Sequence, residues 1–183
     1  LTDYKGELNY YLKALKGNIR LDVGFGTANY ETLVTGLGHR QIRTNRYDYG
    51  LSFRSSWKSN FNIYTGYLLQ TNSYRMEGAT NTLTNGQAFL NLFFRFSGNL
   101  QASLKNESYR FGAMPQEKKQ TYYFSDFSLF YDLKKYRTRF DITAKNIFNT
   151  RSFRNAMLTD ISRSTTEYRL LPRYISVGID YNF

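Results

Sequence analysis

The sequence predicts an all-β chain whose roughly nine antiparallel strands form the last part of a larger transmembrane up-and-down barrel, and three observations carry that expectation. Residues 175–183 alternate without a break. Ile175, Val177, Ile179, Tyr181 and Phe183 fall on one side, and Ser176, Gly178, Asp180 and Asn182 on the other. Such period-two alternation marks a strand with one apolar and one polar face, and a terminal aromatic closing it is the pattern that delivers outer-membrane barrels for assembly. The composition agrees: 17 Tyr and 15 Phe suit strands and interfacial aromatic girdles. No run approaches the roughly 20 apolar residues of a spanning helix. Finally, short and long connections alternate along the chain, as in barrels with short periplasmic turns and long external loops.

The elements follow in order. Residues 4–15 turn through Lys16, Gly17 and Asn18 into residues 19–34, where Leu21, Val23 and Phe25 alternate with Asp22, Gly24 and Gly26. A Gly-rich link over residues 35–40 leads to a third strand ending near Trp57, and Lys58, Ser59 and Asn60 make a tight turn. Residues 61–74 precede a polar loop at 77–85. Residues 88–96 turn at Ser97, Gly98 and Asn99 into 100–111, and residues 112–120 form a charged loop carrying Pro115. Residues 121–133 turn at Lys134 and Lys135 into 136–148. Residues 149–164 are the longest loop, and the closing strand runs over 165–183, where Pro172 marks a bulge or edge-like position.

Two strands sort their faces clearly. Over residues 136–146, Phe140, Ile142 and Ala144 face lipid, while Arg137, Arg139, Asp141, Thr143 and Lys145 face the lumen. Over residues 121–133, Phe127, Leu129, Tyr131 and Leu133 face out, with Asp126, Ser128 and Asp132 inside. A charge on the lipid face near the midplane costs about 2–4 kcal/mol, which enforces the sorting. Over residues 88–96 both faces are apolar or aromatic, so the lumen there is expected to be filled by protein. The mean hydropathy of −0.57 is compatible with a barrel, because only alternate residues meet lipid.

The first residue is Leu1, and residues 1–9 lack the basic start and apolar core of a signal peptide. The sequence is therefore expected to begin inside something longer or after processing. An odd strand number points the same way, since single-chain bacterial barrels have even counts.

The stretch from Ile142 to Thr150 contains Asn146-Ile147-Phe148-Asn149, and the last strand starts near Pro172-Arg173 and ends on Tyr181 and Phe183. In this order and spacing the segment resembles the end of TonB-dependent outer-membrane receptors, closest to the SusC-like and related large-barrel types. The resemblance covers about the last forty residues of the sequence. It implies a barrel of about 22 strands with a plugged lumen, in which the whole chain belongs to one barrel domain and the plug and the TonB box lie outside it. It also implies active uptake of a nutrient, a TonB complex, the barrel assembly machinery, lipopolysaccharide and a SusD-like surface lipoprotein as partners, and residence in the outer membrane of a Gram-negative bacterium.

Other chemistry is expected to be lacking. His39 sits alone in a Gly-rich segment with no Cys or second His for a metal site, and no partner completes a hydrolytic triad. Neither a catalytic residue nor a cofactor is expected. Gly24 and Gly26 lie mid-strand, where small residues admit a bulky neighbour. The net charge of +11 is dispersed, with only Arg151-Ser152-Phe153-Arg154 resembling a basic aromatic cluster. Arg137, Arg139 and Lys145 are expected to pair with acids of a plug rather than to contact substrate, and Arg40, Arg43 and Arg46, at the outer end of one strand, to serve either role. Two other classes stay open: a small complete barrel acting as pore, adhesin or structural protein, and a soluble basic β-protein that binds nucleic acid with steep salt dependence.

Overall fold

Long runs of alternating β-formers pair in sequence order to give a single large sheet. A computed structural model of the chain describes residues 1–34, 38–76, 79–112, 120–158 and 163–181. Its strands are β1 (Thr2–Leu12), β2 (Gly17–Val34), β3 (Gly38–Ser55), β4 (Phe61–Met76), β5 (Ala79–Arg95), β6 (Leu100–Phe111), β7 (Gln120–Leu133), β8 (Thr138–Lys145), β9 (Ser152–Leu158), β10 (Arg163–Arg169) and β11 (Tyr174–Tyr181). Nine of them form one antiparallel sheet in the order β1-β2-β3-β4-β5-β6-β7-β8-β11, and β9 and β10 pair as a separate hairpin. The large sheet is open, with β1 and β11 at its edges.

Several boundaries differ from the sequence reading. The segment 165–183 is not one strand: its first part is β10, and Pro172, which has no N–H to give a ladder, lies in the irregular link before β11. The expected loop at 149–164 carries β9 and the start of β10. The expected loops at 35–40 and 77–85 are mostly strand, because β3 begins at Gly38 and β5 at Ala79. Thr, Asn and Tyr alternate there and continue the ladder as readily as apolar residues do. His39 is thus a strand residue opposite Leu33, and the expected contrast of loop lengths does not hold for these two connections. Residues 113–119 lie outside the described residues.

Four tight turns gather at one end of the sheet. The first occupies residues 13–16, with Lys16 at φ 46° and Gly17 already in β2. The Trp57 indole donates to the Leu15 carbonyl at 2.6 Å, tying two of these turns together. In the turn before Leu100, the Ser97 hydroxyl accepts from the Asn99 and Leu100 amides. The fourth is a 3-10 turn over Lys134–Tyr136, closed by Arg137 at φ 50°. Arg137 is therefore a turn residue rather than a lumen-facing strand residue, because the left-handed backbone that starts β8 removes it from the alternation.

The register carries two unlike faces across all nine strands. One face has Leu8, Leu21, Leu51, Leu69, Leu92, Leu104, Leu129, Ile142 and Val177 along successive strands. The other has Glu7, Asp22, Asp48, Gln70, Asn91, Lys105, Asp126, Asp141 and Ser176. Among the described residues only Ile42, Leu83 and Ala102 are buried apolar side chains, so the sheet has no core of its own. The apolar face stands open, with Ile175, Val177 and Ile179 each exposed by 65% or more.

On that face the apolar residues form a band. A line perpendicular to the strands from Phe25 passes Tyr47, Thr71 and Thr84. On β6, however, the band already ends at Leu104, which lies opposite Leu92. The band crosses the strands obliquely, inclined from their perpendicular by on the order of 40° averaged over the sheet for ordinary strand rise and spacing. Within it, the described strands direct no Asp, Glu, Lys or Arg to the apolar side.

Glycine is required where β4 meets β5. A Cβ on Gly66 would lie 2.6 Å from the Phe89 ring and 2.8 Å from the Leu51 carbonyl oxygen. The Phe89 ring, 4.8 Å from that of Tyr64, fills this space from the sheet's own residues. Gly66→Ala is expected to lower unfolding free energy by about 1–3 kcal/mol through overpacking. Gly98→Ala, with nothing within 4 Å of its Cβ, is expected to change it by less than about 0.5 kcal/mol. Urea titration of the two variants followed by circular dichroism compares them, and an equal loss in both would contradict the packing argument.

Candidate functional site

The polar face is hollowed over β1 to β6, and side-chain size explains where. Gly24 and Gly50 lower its floor, while Asp48 and Asp22 on the neighbouring strands close over them. A Cβ on Gly24 would meet the Asp48 carboxylate at 3.2 Å, and one on Gly50 would meet the Leu68 side chain at 3.0 Å. The resulting hollow has a volume of about 800 Å³ and is lined by Glu7, Arg20, Asp22, Asp48, Gln70 and Gln87, with Tyr109 and Phe153 on its far side.

Charges along the floor are matched. Arg20 lies 3.1 Å from Glu7 and 2.9 Å from Asp22. Arg46 lies 2.8 Å from Asp48 and 3.6 Å from Asp3, and Lys5 lies 3.5 Å from Asp3. The Gln70 amide donates to Asp48 at 3.0 Å. These pairs leave little net charge in the hollow. Its chemistry is that of a hydrogen-bonding surface set beside an aromatic wall.

That wall is built by the β9–β10 hairpin. Phe153 packs with ring centroids 5.1 Å from Phe111, 5.2 Å from Tyr122, 6.0 Å from Tyr109 and 6.1 Å from Phe124. Tyr168, its register partner on β10, packs against it with tilted rings at 6.2 Å. The Arg154 amide donates to the Tyr122 hydroxyl, and the Arg154 side chain pairs with Glu167 at 3.0 Å. The Tyr109 hydroxyl donates to Glu107 at 2.8 Å and accepts from Gln87 at 3.1 Å, which holds the ring against Phe153. The basic cluster read in the sequence at 151–154 thus places Phe153 in an aromatic cage and Arg154 in an ion pair.

The residues singled out in the sequence lie elsewhere. Asp126, Arg139, Asp141 and Lys145 share the polar face, but on β7 and β8, outside the hollow. Three of their charges are paired within the sheet: Lys145 lies 2.8 Å from Asp126, and Arg139 lies 2.6 Å from Asp132. Ile175, Val177, Ile179 and Tyr181 line the apolar face of β11 beside Ala144, Ile142, Phe140 and Thr138. Phe183 lies outside the described residues.

Asn146, Phe148 and Asn149 form a turn that ends β8. Both asparagines are left-handed, at φ 51° and 55°, a conformation Asn tolerates better than most residues. The Asn146 side-chain amide donates to the Thr150 and Leu171 carbonyls and accepts from the Thr150 amide, while Asn149 accepts from the Arg173 amide. Asp126 accepts from the Asn146 amide at 2.9 Å. The motif therefore clips the start of the hairpin to its return strand. Phe148 remains exposed, 6.5 Å from the Tyr123 ring.

Sequence reasoning missed the hollow. Alternation marked Asp22, Gly24 and Asp48 as same-side residues within their strands, but only the register brings Glu7, Asp22, Asp48 and Gln70 together across four strands. Among the described residues no group of three His, Cys, Asp or Glu side chains is arranged to hold a metal ion. No protein-family model, curated protein or solved structure matches the chain.

Two variants separate the clip from the wall. Asn146→Ala loses three side-chain hydrogen bonds and keeps a left-handed backbone, and is expected to cost about 2–4 kcal/mol. Thermal unfolding measures it, and a loss below 1 kcal/mol would remove the clip's structural role. Phe153→Ala is expected to raise tryptic cleavage at Arg151 and Arg154 about tenfold through local opening of the hairpin, while the melting of the sheet stays nearly unchanged.

Proposed function

We propose that the chain is part of the barrel of a TonB-dependent outer-membrane receptor, of the SusC-like or a related large-barrel type, that takes up a nutrient across the outer membrane of a Gram-negative bacterium. The observation that carries the membrane part is the charge-free apolar band running obliquely across every strand of the sheet. A lipid-facing barrel surface needs an apolar belt on one side, a polar interior on the other and strands tilted by about 35–45°. The band's inclination from the perpendicular to the strands agrees with that tilt.

The large-barrel part is supported by the two unpaired edges, β1 and β11. In hydrocarbon, unsatisfied backbone groups cost several kcal/mol each, so lipid requires further strands to close the sheet. A small complete barrel would need these two edges to meet, and they do not pair. The receptor part is supported by the Asn146 to Asn149 turn and the link at Pro172 and Arg173, the stretches in which the sequence resembles that family.

In this reading the polar face is the barrel interior, and the hollow with its aromatic wall is where a ligand or plug side chain rests. Matched charges favour a neutral ligand rich in hydroxyl or amide groups with one flat apolar face, which Phe153 and Tyr109 would stack against. The barrel supplies binding and passage; energy comes from the inner-membrane TonB complex acting on a plug. The assembly machinery would engage β11, and a SusD-like lipoprotein and lipopolysaccharide would be neighbours at the outer surface.

The native protein, extracted from outer membranes and detected through this segment, is expected to have a mass several times 21.5 kDa. A mass near that of the chain would remove the plug and active transport. Within the folded protein, Leu51→Arg on the apolar face is expected to cost about 2–4 kcal/mol in lipid, and Ser52→Arg on the polar face much less. Refolding into vesicles, followed by heat-modifiable migration, distinguishes them; equal effects would sink the assignment of the lipid side.

A further inference from the structure

Beyond the apolar band, the same face carries arginines that form no ion pair among the described residues. Register places Arg43 of β3 directly opposite Arg75 of β4, and both side chains are exposed. They lie past the band, beyond Asn45 on one strand and Thr71 and Ser73 on the other. Arg110 takes the corresponding place on β6, past Asn106 and Ser108. Parity separates Arg43 from its neighbours, because Arg40 and Arg46 belong to the polar face, where Arg46 pairs with Asp48.

The described strands of the large sheet direct a single carboxylate to this face, Glu31, and it accepts from the Gln41 amide at 3.1 Å. The remaining acids of the sheet lie on the polar side. Among the described residues neither Arg43 nor Arg75 has an ion-pair partner. Like charges directly opposite on adjacent strands repel, and guanidinium groups stay charged at any physiological pH. Two guanidinium forks side by side fit the oxygens of a phosphate group, each able to bond in a bidentate manner.

We infer that Arg43 and Arg75 bind the phosphate groups of a membrane lipid whose acyl chains lie on the apolar band. The inference rests on the membrane reading above. Continuity between cations and band selects a lipid over a soluble anion, since only a phosphate carrying acyl chains touches both surfaces. The polar residues between them, Asn45, Thr71 and Ser73, offer hydrogen bonds at the depth of a headgroup.

The test uses the full protein in neutral detergent, with lipid A as the probe and native mass spectrometry as the readout. The wild type is expected to retain lipid A, and the Arg43→Gln/Arg75→Gln double variant to bind it at least about tenfold more weakly, as two charge-assisted contacts are lost. Arg110→Gln, opposite Gly86 and six residues along β5 from the Thr80 that faces Arg75, and Lys58→Gln, at the opposite end of the sheet, are expected to bind as the wild type does. Heat-modifiable migration establishes that each variant is folded. Unchanged retention by the folded double variant overturns the inference, as does equal binding of dephosphorylated lipid A. Displacement by inorganic phosphate at equal concentration would assign the pair to free anions and overturn the lipid source. A wild-type protein that stays soluble without detergent and does not enter vesicles removes the membrane reading itself, an outcome separate from the other three.

Discussion

The hydrogen-bond ladder holds this chain together, and the face it leaves apolar has to be covered by something other than the chain. In a water-soluble sheet, apolar side chains from one layer pack on a second layer, and that burial supplies most of the stability. Here the described part of the sheet has only three buried apolar residues, and leucine and isoleucine side chains on β1, β3, β8 and β11 stand open. Their arrangement is nevertheless strict. No charge interrupts the band on any strand, although nine of the strands' lysines and arginines occur one residue away on the other face. The described part of the sheet, with so little core, has no internal reason for that sorting. Under the proposed function an external apolar medium would supply one, and the polar face would be the side that keeps water.

Once the band is taken as the invariant, the register becomes a consequence. Shifting any strand by one residue would exchange its faces, so on β3 it would turn Arg46, Asp48 and Arg54 toward the apolar side and Tyr47, Tyr49 and Phe53 toward the hollow. The ion pairs Arg20 with Glu7, Arg46 with Asp48 and Lys145 with Asp126 add little energy at these exposures. Their contribution is to the same choice of register: each exists only when the apolar partners are also in line. The glycines act in concert, since Gly24 and Gly50 leave room for Asp48 and Asp22, and a slipped strand would set bulky side chains there.

Period-two alternation made the strands legible, and it made the faces legible within a strand, as at Phe140, Ile142 and Ala144 against Arg139, Asp141 and Lys145. What it could not convey was how far strands extend when both faces are polar. The Thr- and Asn-rich ends of β2 to β5 look like loops by composition, yet their backbones pair fully to Gly38 and Ala79. Nor could local pattern separate β10 from β11, since both alternate; Pro172 was the one mark of the break. The hollow was illegible for a different reason, because its residues come from six strands and a hairpin and meet only through the register. The asparagines at 146 and 149 were visible as a motif, but their work as a clip depends on carbonyls at Thr150 and Leu171 that sequence spacing does not bring near.

The clip and the aromatic wall together explain why a hairpin of modest length can sit over the polar face. An isolated two-stranded hairpin is marginal in water. This one is fixed at its base by the Asn146 and Asn149 side chains and along its first strand by Phe153 among four aromatic rings of β6 and β7. The base is rigid because left-handed asparagines define its direction. The wall is softer, since it relies on ring packing that any flat apolar group of similar size could replace. A ligand entering the hollow between Phe153 and the β1 to β4 floor would therefore compete with the hairpin for Tyr109 and Phe111. Under the proposed function the contacts that hold the wall are those a ligand would use, so occupancy and hairpin position would be linked, and a ligand would shift the hairpin only by its differential contact with those rings.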